Sequence, residues 1–377
     1  PIIVAAELGF AEEEGLALKL HASPSWSTLR DRLSFGHLDA AHMLSPVPVA
    51  SALGLAGGGD VLHALCVLSA NGNVIGVSPN LAEKMRAGGH DFGFDDALKA
   101  GKALIAAKDG QLRVGVPFPF SMHAELVYYW LSALGLPAPE ALLVRTVPPA
   151  LMVDAMQAGE LDAFCVGEPW GSRAVEAGVG ELILPGKAIW AFAPEKVLAV
   201  RAGWADAEPD LCARLIRALW RAARWLAGAS SLSLAAETLG QAKYLAMAPE
   251  MLERALFGRL IIARGGETRA VPGFVELSSG RSATAGFPWR SQAQWIGERL
   301  AARTGLDRTA CARTAAATFR SDLYRAALRG VTPDLPSASA KIEGSLGEPT
   351  AVGSPGGRLI LPRDAFFDGR IFEPLSD

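Results

Sequence analysis

Asp162-Ala163-Phe164-Cys165-Val166-Gly167-Glu168-Pro169-Trp170 is a run of small and apolar residues that halts at a glycine and an acid-proline-tryptophan turn. Before it stands Ala150 to Gly159, with apolar residues near helical spacing and a glycine at the stop. A short apolar run after a capped helix reads as a buried strand. The C-terminal end of such a strand is where open α/β sheets place ligand sites.

Outward from this stretch, helix and strand alternate. Upstream, a helix stops at Gly15, and the alternating Leu16, Leu18 and Leu20 predict a strand. Trp26 to Gly36 is an amphipathic helix with Ser25 or Ser27 near its cap. Leu38–Leu44 is a strand, a helix opens at Pro46, and Leu62–Leu68 is a strand ending at the turn signal Asn71-Gly72-Asn73. Val74–Val77 returns as a strand, Pro79–Lys108 is mostly helical, and Arg113–Val116 is a strand running into Pro117-Phe-Pro-Phe-Ser-Met-His123. The helix Ala124–Leu134 and the strand Leu142–Val147 follow. Past Trp170, Glu181–Pro185 and the run to Val200 are strand-like, and from Pro209 onward helices dominate. Arg264–Ala285 reads as a loop, Thr332–Gly357 as an extended arm, and Phe366–Phe372 as a tight turn. This alternation predicts α/β with parallel sheets.

The composition excludes several classes. The 377 residues are 50% hydrophobic and 20% charged with a net charge of −3, so there is no basic footprint for direct nucleic-acid binding. No apolar run reaches the roughly 18 residues of a membrane helix. Cys66, Cys165, Cys212 and Cys311 form no CxxC pair and read as buried, reduced thiols. His37 and His42 flank a strand without a third ligand nearby, so neither a metal nor a cofactor is expected. P-loop, GxSxG and HExxH patterns are missing, and no nucleophile stands beside an evident base. The expectation is a binding protein, not an enzyme.

A set of polar residues falls at strand ends. Trp26 and Thr28 begin a helix, Asn73 lies in a turn, His123 opens a helix, and Lys196 precedes a strand. Helix N-termini with a lysine, a histidine and an indole N–H make a cage of donors suited to a small oxyanion. Each residue alone has a plainer reading: a core tryptophan, a capping histidine, a solvated lysine.

The chain also resembles the nitrate- and bicarbonate-binding solute receptors of ABC transporters and their cytoplasmic nitrate-sensor relatives. The resemblance rests on Ser25-Trp26-Ser27-Thr28-Leu29-Arg30-Asp31, Asp39 to Leu44 with Pro46-Val47-Pro48, Asn71-Gly72-Asn73, and Phe118-Pro119 through His123 with Tyr129-Trp130-Leu131. It continues through Val147-Pro148-Pro149, Met152-Val153, Asp162 to Trp170, Pro194-Glu195-Lys196, Phe287 to Gln292, Asp322-Leu323-Tyr324 and Phe367-Asp368-Gly369. These phrases are collinear over nearly the whole chain.

The resemblance implies a type II periplasmic-binding-protein-like α/β fold, two lobes around a ligand cleft with a helical C-terminal extension. Residues 1–112 and 197–377 would form the first lobe and 113–196 the second, with the first strand of the family expected ahead of Pro1. It implies Trp26, Thr28, Asn73, His123 and Lys196 as ligand contacts, with Glu168 behind them. Lys196, where bicarbonate receptors carry an acid, implies nitrate or nitrite. Asn73 departs from the glutamine of the transport receptors and is shorter by a methylene. The implied partners are a permease and ATPase or, for a sensor, an antiterminator-type regulator. The compartment stays open, with a lean to the cytoplasm for a sensor. A lysine buried without its anion would be costly, so binding is expected to couple to lobe closure. The competing reading on the same scaffold is an enzyme like those of thiamine-pyrimidine synthesis, with Cys165 as its reactive group.

Overall fold

The computed structural model describes residues 1–277, 284–354 and 356–376. Its strands are β1 (Ala40–Leu44), β2 (Leu62–Asn71), β3 (Asn73–Val77), β4 (Leu112–Val116), β5 (Leu142–Thr146), β6 (Ala163–Gly167), β7 (Glu181–Pro185), β8 (Pro194–Arg201), β9 (Arg259–Ala263), β10 (Glu267–Ala270), β11 (Val275–Glu276), β12 (Thr350–Ser354) and β13 (Gly357–Leu361). Two sheets carry the architecture, one in the order β1-β8-β2-β11 and the other in the order β5-β4-β6-β3-β7.

The expected buried strand is β6, whose first four residues are buried. Its entry is anchored by Asp162, which pairs with Arg113 at 2.6 Å and accepts from the Arg113 backbone at 2.9 Å. Opposite it, Gly76 leaves room for the Phe164 ring. A β-carbon on Gly76 would stand 2.2 Å from a ring carbon, so glycine is the residue that lets these two strands pair.

Parallel sheets were expected, and the sheets are otherwise. β4 pairs parallel with β5 and β6, but β3 runs antiparallel to both β6 and β7. In the first sheet β8 runs antiparallel to β1 and β2. The reason is that the chain crosses between sheets twice. β2 ends the first sheet's share at Asn71, β3 opens the second at Asn73, and β8 brings the chain back. Asn71-Gly72-Asn73 is therefore a crossing and not a hairpin turn. β3 (Asn73–Val77) and β4 belong to the second sheet, and β8 (Pro194–Arg201) to the first.

The crossing is bonded to its partner. Asn71 takes φ 59°, and its amide donates to the Ala191 carbonyl at 2.9 Å and accepts from the Ala193 N–H at 3.1 Å. Gly72 has φ 92°, a region that costs other residues strain. Its carbonyl accepts from the Glu168 N–H at 3.0 Å. The C-terminal segment adds another layer, with Ala191 N–H donating to Ala365 O at 3.0 Å and Phe367 N–H to Ile189 O at 2.9 Å. Trp190, Trp295, Tyr129 and Phe366 pack around that junction with ring centroids 4.8–5.9 Å apart.

Other expectations shift locally. Leu16 and Leu18 pack on the core, but residues 16–20 meet no strand and stay irregular. Part of the expected loop Arg264–Ala285 is strand, since β9 and β10 form a hairpin and β11 pairs with β2; residues 278–283 lie outside the described residues. The arm Thr332–Gly357 is largely irregular and ends in the β12–β13 hairpin, with residue 355 outside the described residues. No helix is long and apolar enough to cross a membrane among the described residues.

Candidate functional site

Where the two sheets adjoin, β8 delivers Glu195 and Lys196. Buried Ser45 fixes the start of that strand, its hydroxyl donating to Pro194 O at 2.8 Å and its N–H to Glu195 O at 3.1 Å. Asn73 comes from the first residue of β3. His123 comes from the helix Met122–Ala133, capped by Ser121, whose hydroxyl accepts from the Ala124 N–H at 3.2 Å. Trp26 opens the helix Trp26–Ser34, capped by Ser25, which accepts from the Thr28 N–H at 3.1 Å.

The Glu195 carboxylate is the hub. Asn73 Nδ2 donates to its Oε2 at 2.6 Å, Lys196 Nζ donates to its Oε1 at 2.8 Å, and His123 Nδ1 lies 3.3 Å from Oε1 without an aligned hydrogen bond. Lys196 Nζ stands 5.7 Å from the Trp26 ring centroid, within cation–π reach. Glu195 and His123 are each 2% exposed, Asn73 1% and Lys196 14%. Gly167, the last residue of β6, walls the group: a β-carbon there would lie 3.7 Å from His123 Nε2 and 3.8 Å from Asn73 Oδ1. Asn73 Oδ1 is a buried acceptor with no donor among the described residues.

Burial pushes the His123 imidazole down to about 4; the Glu195 carboxylate pulls it up and the Lys196 charge adds to the depression. His123 is therefore neutral at neutral pH in this state. Burial pulls Glu195 upward, but His123, Lys196 and the bonds from Lys196 and Asn73 outweigh it and hold the carboxyl below its ordinary value. The group thus combines one carboxylate, one ammonium and one neutral imidazole.

Four of the five anticipated contacts, Trp26, Asn73, His123 and Lys196, are linked here. Thr28 sits one turn into the Trp26 helix with its hydroxyl on Ser25 Oγ at 2.9 Å. Glu168 accepts from the Ser172 N–H at 3.1 Å, and burial raises it to about 7, with the Ser172 bonds opposing. Its side chain caps the helix Trp170–Glu176, and its backbone bonds to the crossing. Lys196 is not left unpaired as the sequence implied, because Glu195 supplies its counter-charge. Sequence reasoning missed Glu195 as a site residue. The signal was present as an acid wedged between Pro194 and Lys196 at a strand start. His42 in β1 was also missed, its ring centroid 6.3 Å from that of Trp26. Its side chain is exposed.

Cys165 is fully buried in β6, and burial pushes its thiol well above the ordinary value, so it is an inert core thiol. All four cysteines are free and buried.

Residues 1–240 match the NMT1-like family. Over 306 residues the chain is 33% identical to the nitrate/nitrite binding protein NrtA of Synechococcus elongatus, covering 78% of this chain and 67% of that protein. It is also 32% identical to the bicarbonate transport ATP-binding protein CmpC of the same organism over 255 residues, 67% of this chain and 37% of that protein. The crystal structure of the periplasmic nitrate-binding protein NrtA from Synechocystis PCC 6803 superposes with a TM-score of 0.83 at 26% identity, covering 99% of this chain and 92% of that one. The fold is thus the periplasmic-binding-protein-like α/β fold anticipated from the sequence.

Proposed function

The chain belongs to the NMT1-like family, and from that premise we propose that it binds a small inorganic oxyanion, nitrate or nitrite, between its lobes without catalysis. The observation that carries this reading is the convergence of Lys196, His123 and Asn73, from both sheets' elements, on one buried carboxylate beside Trp26. An anion that accepts and never donates is satisfied by the free donors of Lys196, the imidazole and the indole. Lys196, and not a further acid, favours nitrate over bicarbonate. Trp26, Asn73, His123 and Lys196 are the proposed contacts, with Thr28 at their edge, and Glu195 is the residue that positions three of them. Glu168 shapes the crossing.

We place the protein as the solute receptor of an ABC import system, with permease and ATPase as partners. A segment similar to this chain recurs within ATP-binding transport proteins, each matched over less than half its length. That recurrence supports transport over the antiterminator-bound sensor.

Calorimetric titration tests the binding. Nitrate should give saturable heat with one site, and Lys196→Gln should weaken it by about tenfold to a hundredfold, the worth of one charge-assisted contact. Bicarbonate binding tighter than nitrate, or a Lys196→Gln protein that binds like wild type, would overturn the proposal.

A further inference from the structure

A cavity of about 180 Å³ lies between the Met122–Ala133 helix and the Arg290–Thr304 helix, apart from the Glu195 group. Its wall includes Arg299, Arg303, Arg308, Tyr128 and Tyr129, together with Glu125 and, on the exposed rim, Glu140. Three guanidinium groups thus face two carboxylates. Buried Glu125 already holds one of them: Arg303 Nε donates to it at 3.0 Å, and Arg303 Nη2 donates to the Pro119 carbonyl at 3.1 Å.

Arg299 and Arg308 have no carboxylate within ion-pair distance among the described residues. Arg299 is partly buried, 5.9 Å from the Tyr129 ring centroid and 5.8 Å from that of Trp295, and its Nε is buried with no acceptor. That Nε is closed to a ligand in the cavity, which would meet the terminal nitrogens of the guanidinium instead. Burial keeps the Tyr128 phenol protonated, pushed up to about 12, so its hydroxyl is a donor. Tyr rings supply an apolar wall beside the two cations.

We infer that this cavity is a second ligand site, for a small organic anion carrying two carboxylates, one on Arg299 and one on Arg308. The planar guanidinium fork matches a carboxylate with two parallel bonds, and the aromatic wall suits the short carbon chain between the carboxylates. Nitrate, with one charge and no carbon, meets neither demand. The inference does not depend on what the Glu195 group binds.

The position gives the site a consequence. The Met122–Ala133 helix carries His123 and Glu125 in its first turn, whereas the Arg290–Thr304 helix packs on the Pro46–Ala52 helix beside the first sheet. A ligand held between the two helices would tie the second sheet's helix to the first sheet's side.

The test is calorimetry on the full chain with malonate, succinate and inorganic phosphate as probes. At least one dicarboxylate should bind saturably below about 10 mM. The double variant Arg299→Gln/Arg308→Gln should weaken it by about tenfold or more, since two charge-assisted contacts are lost. Lys196→Gln, in the other group, should leave it unchanged. Neither arginine makes an ion pair and the double variant gives up only the aromatic contacts of Arg299, so it should stay folded; Arg308→Gln alone, at an exposed position, repeats the test should the double variant fail to fold. No saturable heat with either dicarboxylate, phosphate binding as tightly as they do, or dicarboxylate binding untouched by the arginine variants would overturn the inference.

Discussion

Replacing Glu195 with glutamine tests the chemistry of the buried group most sharply. Within the group the Glu195 and Lys196 charges cancel, and His123 is neutral with its pKa at about 4. An incoming monovalent anion would leave the group net negative unless a proton arrives with it, and His123 is the site for that proton. Protonating it at pH 7 costs about 4 kcal/mol, from the gap of about three units at 1.36 kcal/mol each. An anion about 4 Å from the imidazolium returns about 4 kcal/mol at an effective dielectric constant of about 20. The two nearly cancel, so the liganded His123 should titrate close to neutrality. Ligand binding raises its pKa, and affinity must therefore rise as pH falls through that range, by up to about tenfold per unit. Calorimetry of nitrate binding in buffers of different ionisation enthalpy reads the proton count directly. Wild type should take up a fraction of a proton near pH 7 and nearly a full one near pH 5.5. Glu195→Gln removes the negative charge but keeps the shape and an acceptor for Lys196. Its group carries the lysine charge alone, so nitrate should bind without proton uptake and with a dissociation constant that is flat with pH. Wild-type binding that takes up no proton and stays constant from about pH 5.5 to 8 would refute the reasoning.

Three further outcomes follow from the same geometry. Gly167→Ala should fold normally, because its β-carbon meets only ordinary contacts at 3.7 Å or more, yet it should weaken nitrate binding by occupying space between His123 and Asn73; unchanged calorimetric affinity would count against the cleft assignment. Asn71→Ala removes two buried hydrogen bonds at the crossing and places alanine at φ 59°, so urea unfolding should show a loss of about 3 kcal/mol. Acid should destabilise the apo protein. The folded-state pKa of His123 lies below its ordinary 6.5, so the unfolded chain takes the proton first, and stability present above about 6.5 is lost as pH falls toward 4, by about 3 kcal/mol. The depressed Glu195 carboxyl extends the loss to lower pH, and denaturant midpoints measured along this range check the sign.

The parts of the molecule that sequence exposed are those set by local pattern. β6 is apolar and short, and it was legible because a buried strand must be both. The Ser25 cap carries a local hydrogen bond that residue type alone suggests, whereas the Ser121 cap emerged only from the structure. Strand direction was not legible, because it depends on where the chain crosses between sheets. Asn71-Gly72-Asn73 has the composition of a hairpin turn. The αL residue and the glycine serve a crossing instead, and only the pairing of Asn71 with Ala191 and Ala193, about 120 residues away, distinguishes the two. Leu16–Leu20 failed for a related reason, since alternation marks a half-buried extended segment and a strand also needs a partner edge.

The candidate site divides along the same line. Trp26, His123 and Lys196 stood out because an indole, an imidazole and an ammonium at element ends are unusual donors. Glu195 did not, because a search for donors that suit an anion passes over a carboxylate. Its presence changes the physics of the site. A lysine with no counter-charge would make the empty cleft unstable and closure obligatory on anion binding. Glu195 at 2.8 Å gives Lys196 a resident counter-charge, so a ligand must compete with that carboxylate for Lys196. On the proposed binding reading, a ligand repays the displaced ion pair by bringing the His123 imidazolium into play. An anion with its own O–H, such as bicarbonate, can donate to Glu195 or to the unpartnered Asn73 Oδ1 and nitrate cannot, so the proposed preference for nitrate must come from Lys196 and His123, and titrating both anions into one protein decides it.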